Sequence, residues 1–512
     1  ASNNTAVGSN ALYANTTADH NTAVGKGAMD STTTGAQNTA VGSNTMDANT
    51  TGAGNVAVGY AALNANTTAS NNTAVGRNAL LANTTGDANV SVGNYSLDAN
   101  TTGASNTGIG YAALGANTTA ANNTAVGYNA LNANTTGAQN VSVGSLSLDT
   151  NTTGDNNVSL GYGALTANTT ADNNIAIGRT AMEANTTGAN NVAVGKDAMI
   201  ALTTGSGNVA IGMDALDALT TGSNTIAVGK DALGANTSGT SNTAVGHEAL
   251  GANTTGGENV AMGYGALDAN TTASNNTGIG YLALSTNSTG ANNTAVGASA
   301  FLGASTGGGN SGLGVLAGRG VTTGTNNVCL GVQAGYYSVN VVTGSQNIMI
   351  GNYSKPSATD GDYQYVMGYD CGGSGDNTFT FGKQTTDTTC TLGGTTWSAP
   401  SDIRLKEDIQ DEEVGLDFIN ELRPVTFQWK KGKDVPADMK AHVPDSEERV
   451  MNGKYNHGFV AQEVKEVIDK YDLKEGFDMW SEDVADGRQR VGESALIPML
   501  VKSIQELSAE VE

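Results

Sequence analysis

A column of tyrosine and basic side chains recurs along the chain, each directly after a glycine that repeats every seventeen residues. Tyrosine faces pack on the apolar faces of sugar rings, so this column is a candidate glycan-binding surface. The alternative is a stripe that packs between coils or between chains, and this simpler interpretation is favoured. The tyrosines are Tyr60, Tyr111, Tyr128, Tyr162, Tyr264 and Tyr281, and the basic residues are Lys26, Arg77, Arg179, Lys196 and Lys230.

Acidic side chains occupy the next position in four consecutive repeats, at Asp197, Asp214, Asp231 and Glu248. Glycoside hydrolysis needs two carboxylates roughly 5–10 Å apart in a groove. These residues form a regular series rather than a singular pair, which is typical of a solvated face. A polysaccharide-degrading enzyme therefore ranks below a structural role.

Composition excludes several other classes of protein. The net charge is −24, and 401–512 hold 15 of the 23 basic and 26 of the 47 acidic residues. A basic stripe for nucleic acid is missing, and no apolar run is long enough to insert into a membrane. Three scattered cysteines predict neither a disulfide framework nor a metal site, and no cofactor is expected. The chain starts inside a repeat without an initiator methionine or signal peptide, as expected of a fragment or processed form.

A seventeen-residue repeat organises most of the chain. Its clearest copy runs from Asn123 to Gln139 and reads Asn-Thr-Ala-Val-Gly-Tyr-Asn-Ala-Leu-Asn-Ala-Asn-Thr-Thr-Gly-Ala-Gln. Twenty glycines from Gly8 to Gly331 keep this period without a slip. One unit cannot bury a core alone, but stacked units can, which predicts a mainly β fold of the solenoid or β-roll type.

Alternation in the Asn-[Thr/Val]-Ala-[Val/Ile]-Gly segment predicts a short strand in every coil. We expect its first and third residues on one face, with Val7, Val24, Ile211 and Met262 among those at the deeper apolar position. An Ala-Leu pair after the glycine supplies the second anchor. The asparagine before each strand and the one in each Asn-Thr-Thr triplet should form side-chain ladders along the axis.

A coil of seventeen residues has a small core, so we expect three chains to pack together and bury further apolar positions. The Asn-x-Ala-[Val/Ile]-Gly strand resembles the head repeats of trimeric autotransporter adhesins, which build trimeric β-rolls. Those repeats are usually shorter, so their coil geometry is not carried over.

The regular repeats define a shaft over 1–335. Beyond Gly331 the glycine spacing changes to twenty, seventeen and fourteen residues, and aromatic residues become frequent. We interpret 336–400 as degenerate repeats that cap the array and join it to another module. A binding tip is the alternative there.

The chemistry of 401–512 is different. Three separated motifs occur in order, SDIRLKEDI over 401–409, LDFINELRPVTFQWK over 416–430 and HGFVAQEV over 457–464, and Leu-Ile-Pro ends at Pro498. This region resembles the C-terminal intramolecular chaperone domain of endosialidases and other phage tail spikes and fibres.

The resemblance implies a trimerisation chaperone that cuts itself off in a single turnover. It assigns Ser401 as the nucleophile, Lys406 as the general base and Pro400–Ser401 as the scissile bond. A serine hydroxyl needs a nearby base, and a lysine can serve when desolvation favours its neutral form. Alternatively, Ser401 caps a turn and Lys406 pairs with a carboxylate. His457 lies in the third motif and is either a site residue or a packed structural histidine.

Apolar spacing predicts helices within 414–422 and 460–471, and a strand around Phe427 and Trp429. At the end of the chain a coiled-coil seam is expected, with Pro498 in the first helical turn. The expected fold is therefore a small α+β module that ends in an association helix. The seam residues are Ile497, Leu500, Ile504, Leu507 and Val511.

These features predict a homotrimeric phage tail fibre or spike, with the repeats as a host-directed shaft and 401–512 as the device that aligns the chains. The expected partners are two further copies, a host-surface glycan or other receptor, and other virion tail proteins. The expected location is the virion tail, after synthesis in the host cytoplasm. No turnover enzyme is predicted in the repeats. The alternatives are a polysaccharide-degrading tailspike and a bacterial trimeric adhesin, which would need a membrane anchor.

Overall fold

The computed structural model describes residues 2–384, 386–394, 397–399, 401–473, 478–483 and 487–511. The chain divides into two compact units, Ala1–Pro400 and Ser401–Glu512. Within the described ranges, every helix is too short or too polar to cross a lipid bilayer.

The first unit is a β-solenoid in which each seventeen-residue coil contributes one three-residue strand, as predicted. Each strand pairs in parallel with the strand of the next coil, residue on equivalent residue, as in Thr124–Val126 against Val141–Val143. The strands β1 to β21 are Thr5–Val7, Thr22–Val24, Thr39–Val41, Val56–Val58, Thr73–Val75, Val90–Val92, Thr107–Ile109, Thr124–Val126, Val141–Val143, Val158–Leu160, Ile175–Ile177, Val192–Val194, Val209–Ile211, Ile226–Val228, Thr243–Val245, Val260–Met262, Thr277–Ile279, Thr294–Val296, Ser311–Leu313, Val328–Leu330 and Ile348–Ile350.

The solenoid continues into the irregular repeats and ends in a hairpin. Strands β22 (Gln364–Tyr369) and β23 (Thr378–Lys383) stay parallel to β21 although the coil length changes. The next strand, β24 (Thr386–Thr391), pairs with β23 in the antiparallel direction. An antiparallel last strand occupies the edge that a further parallel coil would need, so it limits edge-to-edge addition.

From β2 to β21, the core contains the middle residue of each strand rather than its two neighbours. In β8, Ala125 is fully buried, whereas Thr124 and Val126 are only half-buried. The prediction that Val7, Val24, Ile211 and Met262 hold the deeper position is therefore wrong. The thin coil explains the error, because Ala130 and Leu131 already fill its interior and leave room only for an alanine beside them. The valine column faces outward instead.

The large core side chain comes from a strained turn. Leu131 has a φ of 52°, in the left-handed region, and its side chain is completely buried. That conformation costs about 1–3 kcal/mol in a non-glycine residue, and burial of a leucine contributes about 1.5–3 kcal/mol. At the repeating glycine, by contrast, a side chain could not offset the backbone strain, because there is no room for one. At Gly127, φ is +143° and a Cβ would lie 2.4 Å from the carbonyl oxygen of Gly144.

Both predicted asparagine ladders are present. In the strand ladder, formed by the asparagines that precede the strands, Asn140 N donates to Asn123 Oδ1 at 2.9 Å. The side-chain amide of Asn123 donates in turn to the Gly137 carbonyl, fourteen residues further along the chain, at 2.9 Å. These asparagine side chains are fully buried. Each hydrogen bond of the ladder therefore satisfies a polar group that water cannot reach.

The turn ladder is formed by the asparagines of the Asn-Thr-Thr triplets. Here Asn134 Nδ2 donates to Asn117 Oδ1 at 3.0 Å, and the pattern repeats from coil to coil. The chain breaks this ladder with buried Leu202 and Leu219. Asn185 Oδ1, which faces the first break, has no hydrogen-bond partner. The ladder therefore works by pairing between coils and fails locally where one coil lacks an amide.

The second unit is a small α+β module. Its core contains Phe418, Val464, Ile468, Met479 and Leu496. The helices fall within the predicted segments, and Pro498 lies in the first turn of the last helix. The helices are α1 (Leu416–Glu421), α2 (Ala461–Lys470) and α3 (Ile497–Val511), and the antiparallel strand pairs are β25 (Val425–Phe427) with β26 (Asn456–Gly458) and β27 (Trp480–Glu482) with β28 (Gln489–Val491).

Helix α3 has one face packed and one face open. Met499 and Ser503 are buried, and the Glu506 carboxylate accepts a hydrogen bond from Leu416 N at the start of α1. The predicted seam lies on the exposed part of the helix, where Ile504 is 65% and Val511 87% exposed. An apolar row of this kind is typical of a helix that associates with other helices.

Candidate functional site

A tight turn brings Ser401 and Lys406 together. Residues Ile403–Leu405 form one turn of 3-10 helix, and Lys406 N donates to the Ile403 carbonyl at 3.2 Å. The chain thereby reverses within five residues. Lys406 Nζ lies 2.8 Å from Ser401 Oγ, within hydrogen-bond distance. A lysine amine that touches a serine hydroxyl is the arrangement needed for base-assisted attack by that hydroxyl.

The turn is capped by Asp402 rather than by Ser401. Asp402 Oδ1 accepts from Arg404 N at 2.9 Å, and the Arg404 guanidinium donates to both carboxylate oxygens. These bonds from Arg404 hold the pKa of Asp402 below its ordinary value. The Ser401 hydroxyl is thus not used as the cap. The amine of Lys406 contacts that hydroxyl rather than a carboxylate in the hydrogen bonds of the described residues.

The pair is exposed in the single chain, and so is the segment around it. Ser401 and Lys406 are both exposed, as are the apolar side chains Ile403, Leu405 and Ile409. Pro400, on the other side of the predicted scissile bond, lies outside the described residues. The segment therefore carries reactive groups and apolar side chains that its own unit does not cover.

His457 lies elsewhere in the unit. It is exposed on β26, opposite Thr426, and lines a cleft whose walls include Phe427, Trp429 and Phe459. Neither Ser401 nor Lys406 lines this cleft. The structure therefore joins two of the predicted site residues and leaves His457 apart from them. The aromatic cleft is a feature that the motif comparison did not indicate.

The tyrosine column is exposed and partly stacked on itself. The rings of Tyr111 and Tyr128 stack with centroids 5.6 Å apart, and Tyr264 and Tyr281 do the same at 5.6 Å. His247 extends the second stack at 5.5 Å from Tyr264. The rings thus pack between coils and remain about half exposed. All six predicted tyrosines are in the exposed class, namely Tyr60, Tyr111, Tyr128, Tyr162, Tyr264 and Tyr281.

Acidic side chains gather in one shallow hollow. It is lined by Asp217, Asp231, Glu248 and Asp268, with two glycines that leave it open. Burial raises the pKa of Asp217 and of Asp268. His247 joins Asp231 and Glu248 in a group whose ligand atoms lie within 4.8 Å of one another, and a neighbouring lysine pairs with Asp231. The hollow is a local accumulation of like charges with its own counter-cation.

A three-coil period is superposed on the seventeen-residue repeat. The residues on both sides of the repeating glycine are bulky in every third coil, as in Val58-Gly59-Tyr60, Ile109-Gly110-Tyr111 and Leu160-Gly161-Tyr162. The same fifty-one-residue spacing continues through Ile211 and Met262. Comparison of units three apart, rather than adjacent units, is the sequence signal that finds these positions.

A family model matches part of the second unit. Residues 401–473 match the family described as the chaperone of endosialidase, Peptidase_S74. The match starts at Ser401 and covers the Ser401–Lys406 turn, α1, β25, β26 and α2, while α3 lies beyond it. Comparisons with curated proteins and with solved structures found no match. This protein is thus a β-solenoid followed by a unit in which residues 401–473 match the endosialidase-chaperone family.

Proposed function

We propose that three copies of this chain form a phage tail fibre or spike, in which the solenoid is the shaft and the C-terminal unit aligns the chains. The observation that carries the proposal is the match of 401–473 to endosialidase chaperones directly after a regular solenoid. In this proposal the assembled protein belongs to the virion tail, contacts other tail proteins and reaches toward the host surface.

The repeat itself supplies a reason for such a device. A chain displaced by seventeen residues presents nearly the same side chains, so the array alone does not define its register. A module without repeats that associates first removes this ambiguity. The exposed seam of α3 supports self-association, because Ile497, Leu500 and Ile504 are well exposed in the described part of their own unit.

The proposed cleavage is a single turnover at Pro400–Ser401. Lys406 takes the proton of the Ser401 hydroxyl, and Oγ attacks the carbonyl carbon of Pro400. The amide C–N bond breaks, the Ser401 nitrogen leaves with a proton, and an ester joins Pro400 to Oγ. Water then hydrolyses the ester, which releases the Pro400 carboxylate and restores the hydroxyl.

Assembly would complete this site. A lysine acts as a base only in its neutral form, which burial favours and water opposes. Lys406 is exposed in the single chain, and three apolar side chains lie exposed in the same segment. Contacts with neighbouring chains that cover Ile403, Leu405 and Ile409 would also desolvate the lysine. Cleavage is therefore expected after the chains associate.

Denaturing and native gels of matched variants test the proposal. Wild type should give a native trimer and, on the denaturing gel, a fragment of 112 residues corresponding to 401–512. Ser401→Ala and Lys406→Ala should stay full length, and the nearby exposed Ser398→Ala should cleave normally. A native monomer would refute the trimer. Failure of wild type to cleave, or cleavage of Ser401→Ala, would refute the assigned chemistry alone.

The tyrosine column is the proposed contact with the host. The exposed tyrosine column supports binding of a glycan, since rings such as Tyr111 and Tyr128 present apolar faces at the surface. A glycan array probed with the full chain and with Tyr111→Ala/Tyr128→Ala tests it. Binding by wild type that the double variant loses supports a binding shaft, and no binding by either supports a spacer.

A further inference from the structure

The outer face of the solenoid sheet, here called the strand face, consists of the first and third residue of each strand from β1 to β21. These side chains point away from the core, and several are well exposed, including Leu160 at 44% and Leu313 at 57%. The backbone groups of each strand already pair with adjacent coils. Any contact made by this face must therefore be made by side chains.

The strand face contains no charged residue in any of its twenty-one strands. It carries only valine, isoleucine, leucine, methionine and threonine, with one serine at Ser311. The columns on the other side of the repeating glycine differ, since they hold lysine, arginine, aspartate and glutamate, for example Lys196 and Asp197. Charged residues are thus absent from the strand face, although they occur in other columns of the same solenoid. Of the 42 side chains of the strand face, 32 are aliphatic and ten are threonine or serine, and an uncharged, largely aliphatic surface is characteristic of an interface.

The face is large enough to hold an assembly together. Twenty-one strands about 4.8 Å apart make a strip roughly 100 Å long. With two columns of side chains and a width of about 10 Å, its area is on the order of 1,000 Å², more than the few hundred Å² typical of a monomer. One partner in a stable interface buries about 800 Å².

On the strand face, the three-coil period is seen in the side chains that are most exposed to solvent. The third residue of every third strand from β1 to β19 is well exposed, and in five of these seven strands it is isoleucine, leucine or methionine. A partner must match this spacing over the whole shaft, and a second copy of the chain does so by construction. The exposed residues with this spacing are Val7, Val58, Ile109, Leu160, Ile211, Met262 and Leu313, and Val41 is exposed outside it.

We propose that the strand face is the surface along which copies of this chain pack in the shaft, and that its bulky residues set the register in three-coil steps. The inference rests on the proposed trimer and identifies the part of the solenoid that forms it. A displacement by one coil would set large side chains against smaller ones, so the array resists short slips more than a simple repeat would.

Cysteine cross-linking of the full chain tests the face. Leu160→Cys places a thiol on the strand face, and Thr170→Cys is a control at an exposed residue in an Asn-Thr-Thr turn. A short bis-maleimide should link Leu160→Cys chains to one another on a denaturing gel, and should leave Thr170→Cys chains unlinked. A large soluble maleimide should label only the Thr170→Cys chain in the native protein.

Two results would overturn the inference while leaving the trimer in place. One is a native trimer in which Leu160→Cys is labelled freely and stays unlinked, which would leave the face open to some other partner. The other is equal linking of both variants. A native monomer would instead refute the proposed function, so the two failures are distinguishable.

Register is tested with mixed chains. When Leu160→Cys and Val194→Cys chains are expressed together, mass spectrometry should find links joining position 160 to position 160 and position 194 to position 194. Links joining position 160 to position 194 would show slips of two coils, which the three-coil spacing opposes, and would overturn the register claim.

Discussion

The turn ladder gives the sharpest energetic prediction. Asn134→Ala removes a fully buried amide that makes three hydrogen bonds. Asn117 Oδ1 then loses the donor that lies 3.0 Å away, and Asn151 Nδ2 loses one of two acceptors. Gly137 keeps its bond from the strand ladder. One orphaned oxygen costs about 1–3 kcal/mol and one lost bond about 1 kcal/mol, so the expected loss is about 3 kcal/mol.

Hydrogen–deuterium exchange measures this loss where it occurs. In a solenoid each coil depends mainly on its neighbours, so opening should become easier around 123–151 and stay unchanged in distant coils. A loss of about 3 kcal/mol accelerates exchange there by about 100-fold. Thr136→Ala, two residues away and exposed, should change exchange little. Equal protection in Asn134→Ala and Thr136→Ala would refute the view that the ladder stabilises the shaft.

The natural break in the ladder provides the reverse test. Asn185 Oδ1 lacks a donor because Leu202 follows it in the ladder. Leu202→Asn alone supplies that donor but moves the orphan one coil along, to face Leu219. The double change Leu202→Asn/Leu219→Asn restores an unbroken series up to Asn236. We therefore expect slower exchange around 185–236 in the double variant than in the single one.

Two further predictions concern titratable groups in the shaft. Burial raises the pKa of Asp217, so this residue contributes stability below its unfolded pKa of about 4 and loses it as pH rises through the native value. Asp217→Asn should therefore raise the midpoint of thermal unfolding at pH 7 and leave it unchanged at pH 3, and a shift of equal size at both values would contradict this. Burial also raises the pKa of Cys329 to about 12. A thiol reagent at pH 8 should leave Cys329 unmodified in the native protein and modify it after unfolding, and labelling of Cys329 in the native protein would contradict its burial.

Much of the fold follows from periodicity. A strict seventeen-residue repeat puts like residues over like residues, so parallel strands and two asparagine ladders are the direct consequence. Periodicity did not predict which residues of each strand face the core. Three alternating residues fit either orientation, and hydrophobicity alone favours valine inside. The choice was made by the width of the coil, in which Leu131 already fills the space that a valine would need.

At the candidate site, too, the sequence predicted some features and the tertiary structure decided others. The motif around Ser401 and Lys406 and the helical spacing of the C-terminal unit could be read from the residues in order. Their separation of five residues does not bring the two side chains together by itself. The 3-10 turn capped by Asp402 does so, and it leaves His457 on a different surface.

The sequence alone determined what is local or periodic in this protein: the coil length, the ladders, the end of the regular array and the C-terminal helix. Tertiary structure alone decided which side of each strand faces water, because that depends on the volume enclosed by the whole coil. It thereby left an uncharged apolar strip along the outside of the shaft. Side chains that a linear pattern assigns to a core thus form the outer surface on which we propose that chains meet.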